Sequence, residues 1–275
     1  MKIRPGLEGL YERILGWQIR YVPLHIAIIQ DGNRRFARSL GLEAGEGHRA
    51  GADTTERVLD WAHEMGVKYI TLYSFSTENF RRESGEVESL FALFKERFAK
   101  IISDERVHRR RIRVRVFGDR TLLPPDLLER VEAAEAATRA YGNYFLNIAL
   151  AYGGRNEIVH AARSILREVR GGAITPEEID LALVEHHLYD GKYLPPVDLI
   201  IRTGNERRTS NFLPWLANGN ESAVYFCAPN WPDFRKIDFF RALRLYDQRM
   251  RGKGIPARGD GGSSPQPPNR RLRDW

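Results

Sequence analysis

The stretch IAIIQDGNRRFARS, residues 26–39, ends an apolar run in one carboxylate, one glycine, one asparagine and two arginines. Asp31 is short, ionised and acceptor-only, which suits a hard cation such as Mg2+. Gly32 lets backbone approach a ligand closely. Arg34 and Arg35 present forked donors that match phosphate oxygens. A helix beginning near Asn33 would add free amide groups and a positive dipole end. Together these residues form a cradle for a metal ion and a diphosphate. An ordinary Asp-Gly turn explains the bend, but not an acid and two guanidinium groups at one strand end.

A second apolar run, IIRTGNERRTSNF (200–212), also ends in arginine, glycine and more arginines. Arg202, Arg207, Arg208 and Ser210 could reach phosphate oxygens, with Glu206 orienting one arginine. A third, LYSFSTENFRRESGEVESLF (72–91), places Ser76, Thr77, Asn79 and Arg82 just past a strand, with Phe80 among them. Two cradles with few acids point to two anionic substrates, each a diphosphate. No Walker A loop, nucleophile elbow or clamp of paired acids occurs. The segment GEGHRA (45–50) loosely fits a dinucleotide fingerprint, but no strand directly precedes it.

The elements that must position these groups alternate. Strand-like runs occur at 25–29, 69–75, 112–118, 145–152, 197–203 and 223–227. They are solidly apolar rather than alternating, as in strands buried on both faces. Helical patterns lie between them at 51–66, 87–102 and 175–189, the last opening on a Thr175/Glu178 capping box. The expectation is an α/β domain with a mainly parallel sheet, ligands binding beyond the carboxyl ends of the strands. Residues 1–20 read as an amphipathic helix docked on the body, 21–251 as the catalytic domain and 252–275 as a disordered basic tail.

Composition narrows the remaining choices. At 275 residues and 42% hydrophobic content the chain is globular. Its single cysteine, Cys227, makes no internal disulfide, so a reducing, cytoplasmic setting follows. No signal peptide and no apolar run of about 20 residues is present. The net charge is +7, but residues 249–275 hold seven Lys/Arg against two Asp, leaving the body nearly balanced. A nucleic-acid partner is therefore not expected, despite the cluster RVHRRRIRVR (106–115).

The motifs HIAIIQDGNRRFA, GHRAG, LYSFSTENFRR, NIALAYGGRNEI, VDLIIRTGNERRTSNFLPW and NWPDF resemble those of the cis-prenyltransferases, the undecaprenyl or polyprenyl diphosphate synthases. The likeness runs from about His25 to Arg251 and is strongest toward the archaeal branch. It implies a six-stranded parallel sheet distinct from a Rossmann domain, a homodimer, Mg2+ dependence and peripheral membrane contact. An allylic diphosphate would bind at Gly32, Asn33, Arg34, Arg35, Phe36 and His48. Asp31 would handle Mg2+ and, with Asn79, serve catalysis. Isopentenyl diphosphate would bind through Arg202, Arg208 and Ser210. Ser76, Thr77, Glu78, Phe80 and Arg82 would line the region between, and Glu86 would position the elongation site. The growing chain would need an apolar tunnel, with VESLFALF and IRVRVFG as candidate walls.

Some positions depart from the family pattern. Ala44 stands where bacterial relatives have an arginine. Glu221 aligns with a metal-binding acid when counted from NFLPW, but two extra residues separate it from NWPDF. Arg251, in RMRGKG, is the nearest match to a C-terminal arginine donated across the dimer interface. The leading expectation is a synthase that makes a long polyprenyl diphosphate for glycosyl carrier lipid, with geranylgeranyl favoured over farnesyl diphosphate as primer. The alternative is a non-catalytic partner subunit of such an enzyme, which intact Asp31, Asn79, Arg202, Arg208 and Ser210 oppose.

Overall fold

The structure, a computed structural model, describes residues 5–189, 194–217 and 222–253. Most of the basic tail and Glu221 lie outside the described residues. Six strands form one sheet: β1 (His25–Ile29), β2 (Tyr69–Ser76), β3 (Ile112–Phe117), β4 (Tyr144–Tyr152), β5 (Leu199–Arg202) and β6 (Ala223–Phe226). Every pairing is parallel and the order is β3-β4-β2-β1-β5-β6. This is not the 3-2-1-4-5-6 order of a dinucleotide-binding sheet. The helices are α1 (Pro5–Gln18), α2 (Asn33–Ser39), α3 (Ala44–Glu64), α4 (Ser84–Ser103), α5 (Glu105–Arg109), α6 (Pro125–Thr138), α7 (Gly154–Arg170), α8 (Leu181–His187) and α9 (Lys236–Gly252).

The solid apolar strands reflect burial on both faces. Ile26, Ile28, Leu199 and Ile201 pack into one cluster with Val58, Leu90 and Phe239. Ala27, Ile29 and Ile200 face the other, with Phe212, Leu213 and Leu216. Successive side chains leave a strand on opposite sides, so neither face could be polar. His25 is fully buried: its Nδ1 lies 2.8 Å from the Pro195 carbonyl and its Nε2 2.7 Å from Thr71 Oγ1. Burial pushes its pKa down to about 4, so the neutral ring serves structure.

Two expected helices change extent. The helix expected at 51–66 begins at Ala44, because Glu43 and Glu46 form a reciprocal capping box there. GEGHRA is thus the opening of a helix and not a phosphate loop. The helix expected at 175–189 is broken. The Thr175/Glu178 box caps only a 3-10 turn, and Asp180 then accepts the Leu183 amide at 2.8 Å, starting α8 afresh.

Helix α1 docks on α9. Leu15 and Ile19 are buried, and Asp247 of α9 accepts the amides of Arg20 and Tyr21 at 2.9 Å each. Arg251 closes the contact by donating to the Gln18 carbonyl at 2.6 Å and to Asp247 at 2.8 Å.

Candidate active site

The order of strand addition switches sides at β1: the chain runs from β1 to its neighbour β2, and returns later to place β5 on the other side of β1. The crevice beyond the carboxyl ends of these three strands is the place where such sheets bind ligands. All three arginine-bearing or polar strand ends identified in the sequence meet there.

Asp31 sits at its centre. Its main chain is held by Thr203, whose hydroxyl donates to the Asp31 carbonyl at 2.7 Å, and by the Trp231 amide at 2.9 Å. Its carboxylate accepts from Arg202 at 2.9 Å and from Arg35 at 3.2 Å. The acid of the first cradle and the arginine of the second therefore form one linked group. Arg202 is only 3% exposed, so its guanidinium is a rigid fixture. It also donates to Ser210 Oγ and to the Arg208 carbonyl, each at 2.6 Å. Glu206 does orient an arginine: it pairs with Arg208 at 2.6 Å.

Glycines let the chain pass this closely. Gly32 has φ +108, and a Cβ there would lie 2.5 Å from Asn230 Oδ1. Gly47 and Gly51 of α3 make room for Asn33, because a Cβ would come within 2.3 Å of its carbonyl oxygen or 2.4 Å of its Oδ1. This accounts for the GHRAG motif as packing beneath the cradle.

Glu86, at the start of α4, gathers a second group. Arg82 donates to it at 2.7 Å, His48 Nε2 lies 3.2 Å away and Arg34 pairs at 3.6 Å. Burial would raise the Glu86 pKa, but the hydrogen bond from His48 and the charges of Arg82 and Arg34 outweigh it and hold the carboxyl low. His48 is itself shifted down by burial, so its ring is neutral.

A charged cavity of about 430 Å³ opens between these groups, lined by Asp31, Gly32, Asn33, Arg34, Arg35, His48, Arg82 and Arg208. Gln30 and Arg38 also line it and were missed in the sequence. Arg38 stands one turn past Arg34 on α2, so helical spacing held the signal. Asn230 and Trp231, in the NWPDF motif, were also missed as parts of the site. They pack on Gly32 and bond Asp31. Ser76 and Asn79 form a capping box at the end of β2, with Asn79 Oδ1 accepting the Ser76 amide at 2.9 Å. Phe80 packs edge-on against Phe75. Of the expected site residues, Phe36, Ser76, Thr77, Glu78, Asn79, Phe80, Glu86, Arg202 and Ser210 do not themselves line the charged cavity, nor within this chain does Arg251.

A second cavity, about 200 Å³, runs between α3, α4 and the sheet and is lined largely by Leu59, Leu72, Leu90, Leu93, Phe94, Phe98, Ile112 and Ile148. Leu90, Leu93 and Phe94 come from VESLFALF and Ile112 from IRVRVFG, the segments expected to wall a tunnel. Gln30, Asn33 and His48 line both cavities. The charged cradle therefore continues directly into an apolar space.

Such a site, on a parallel sheet, sets guanidinium groups that match phosphate oxygens beside an apolar space. The family model described as "Putative undecaprenyl diphosphate synthase" matches residues 29–254. The chain belongs to this family of prenyltransferases. A relative from Methanosarcina mazei, named tritrans,polycis-undecaprenyl-diphosphate synthase (geranylgeranyl-diphosphate specific), is 49% identical over 88% of this chain and 83% of its own. One of the same name from Archaeoglobus fulgidus is 50% identical over 87% of this chain and 96% of its own. Among solved structures, lavandulyl diphosphate synthase from Lavandula x intermedia, in complex with dimethylallyl diphosphate, superposes with a TM-score of 0.78. It is 33% identical and covers 85% of this chain and 99% of its own.

Proposed function

We propose that this prenyltransferase extends geranylgeranyl diphosphate by successive cis-condensations with isopentenyl diphosphate, giving a long polyprenyl diphosphate that serves as precursor of glycosyl carrier lipid. The observation that carries this reading is the shared wall of the two cavities, which admits a charged head and an apolar tail together. The names of the archaeal relatives support the primer. The catalytic unit is residues 21–251, working as a homodimer; Arg251 would reach the partner's site only by leaving the Gln18 carbonyl and Asp247 that it bonds within its own chain.

The allylic diphosphate rests on the Gly32–Arg35 backbone, with Arg34, Arg35 and His48 about it and its chain in the apolar cavity. Isopentenyl diphosphate is held by Arg202, Arg208 and Ser210. The allylic carbon–oxygen bond breaks and diphosphate departs toward the arginines, which stabilise the developing charge. The double bond of isopentenyl diphosphate supplies the electron pair for the new carbon–carbon bond, and a proton is lost to leave a cis double bond. Asn79 and Arg82 lie between the two substrates.

Mg2+ fits this donor set in a limited way. Among the described residues, no three His, Cys, Asp or Glu gather into a metal-binding group. Among the described residues, Asp31 and Glu206 are the carboxylates that line the charged cavity, Glu206 being paired with Arg208, and Mg2+ is commonly held by one or two carboxylates together with phosphate oxygens and water. When bound, the ion would neutralise charge on the departing diphosphate. Glu221, the second acid assigned from the sequence, is proposed to complete it.

The test is a synthase assay with Mg2+, labelled isopentenyl diphosphate and each primer in turn. Long polyprenyl products, with higher kcat/KM for geranylgeranyl than for farnesyl diphosphate, are expected. Folded protein that makes no product from any primer would overturn the proposal.

Among the described residues, no helix is long and apolar enough to cross a membrane. Peripheral contact falls to α1. Opposite its docked face, Leu10, Ile14 and Trp17 are 56%, 43% and 89% exposed, beside the exposed Arg13 and Arg20. Apolar residues rimmed by arginine suit an anionic lipid surface. Trp17→Glu is expected to lower sedimentation with anionic phospholipid vesicles while leaving turnover of soluble short-chain substrates unchanged. Equal vesicle binding by the variant would remove α1 from this role.

A further inference from the structure

The segment NIALAYGGRNEI lends Ile148 to the apolar cavity and no residue to the charged one, yet it makes a dense set of contacts with the loop that follows β5. Asn211 is the hub. Its main-chain oxygen accepts the Gly154 amide and its Oδ1 accepts the Arg155 amide, each at 2.8 Å. These are amides at the start of α7, which have no partner within their own helix. The other end of the same side chain, Nδ2, donates to Glu78 Oε1 at 3.1 Å. One residue thus joins the ends of β2 and β4 to the β5 loop.

The two glycines permit this approach. A Cβ on Gly154 would lie 2.2 Å from Pro214, and one on Gly153 would lie 2.6 Å from Thr77 Oγ1. A further tie follows: the Leu213 amide donates to the Tyr152 hydroxyl at 3.2 Å, and that hydroxyl donates to the buried Glu157 at 2.5 Å. The loop needs such restraint. Ser210 and Leu213 adopt φ +55 and +48, a left-handed conformation that side chains disfavour and that surrounding structure must hold. Ser210 accepts from Arg202, and Arg208 supplies the carbonyl that Arg202 also grips.

We propose that Asn211 is a positioning residue for the isopentenyl diphosphate site: it holds Ser210 and Arg208 in register with Arg202, and Glu78 acts through it rather than on substrate. This rests on the reading of Arg202, Arg208 and Ser210 as that site. Asn211→Asp isolates the role. The aspartate still caps α7 and suits a helix N-terminus, so thermal stability holds. Its carboxylate, however, meets that of Glu78 where an amide donor stood.

The KM for isopentenyl diphosphate is expected to rise roughly tenfold in Asn211→Asp, as loss of one hydrogen bond to a charged group implies. The KM for the allylic primer stays within about twofold. Adding Glu78→Gln restores a donor opposite the new carboxylate and recovers most of the lost affinity. An unchanged isopentenyl diphosphate KM in Asn211→Asp, an equal rise for both substrates, or no recovery in the double variant would each overturn the positioning role. Arg208→Ala is the control for the underlying site. If it raises that KM while Asn211→Asp does not, only the role of Asn211 fails. If Arg208→Ala leaves it unchanged, the site reading fails and the inference falls with it.

Discussion

Asp31→Ala leaves a folded enzyme whose kcat is reduced by on the order of a thousandfold, the scale seen when a preorganised electrostatic group is removed from a reacting centre. The loss has two parts. The first cradle loses its carboxylate, the group proposed to hold Mg2+ against the diphosphate. The arginines also lose their anchor, because Asp31 accepts from both Arg35 and Arg202. Freed of that acceptor, Arg35 swings with the mobility of a half-exposed side chain. Arg202, 3% exposed, keeps its contacts to Ser210 and Arg208 but becomes an uncompensated buried charge. A fall in melting temperature therefore accompanies the loss of rate. Asp31→Asn separates the two parts: it retains an acceptor for one arginine and so recovers stability, while activity stays low. Initial rates with labelled isopentenyl diphosphate, beside thermal melts, check both. A rate for Asp31→Ala within about tenfold of the wild type would remove Asp31 from the chemistry.

Arg202→Lys is expected to raise the KM for isopentenyl diphosphate on the order of a hundredfold, equivalent to roughly 3 kcal/mol for a broken buried charge pair. The change is conservative only in charge. Arg202 directs one nitrogen to Asp31 and the other to both Ser210 and the Arg208 carbonyl. A single ammonium on a flexible stem cannot span the fork. Ser210, in its left-handed conformation, would lose the contact that fixes its hydroxyl. The primer KM should change much less, since Arg34, Arg35 and His48 remain. Steady-state kinetics with each substrate varied in turn reads the split. An equal effect on both KM values would mean that Arg202 supports the whole crevice rather than one substrate.

Much of this was legible in the amino-acid sequence, and the reason is local. β1 matches the expected run HIAII residue for residue, because His25 and four buried apolar residues bounded by Pro23 and Asp31 leave little choice of register. The cradles were legible because Asp31, Arg34, Arg35 and Arg202 are charged groups placed directly at the ends of such runs. Helix limits were less so. The helix expected at 175–189 failed because Asp180 offers a competing cap in mid-segment.

The sequence by itself determined the class of sheet and the strand ends that carry charge. Tertiary structure alone decided that the two cradles are one linked group, with Arg202 donating across 171 positions of chain to Asp31. It alone set Asn230 against Gly32, made Asn211 the tie between three strand ends, and opened the apolar cavity behind His48. Periodicity reports what a residue does within its own element. It is silent on which elements become neighbours, because that depends on strand order and on the sum of weak packing contacts across the whole fold.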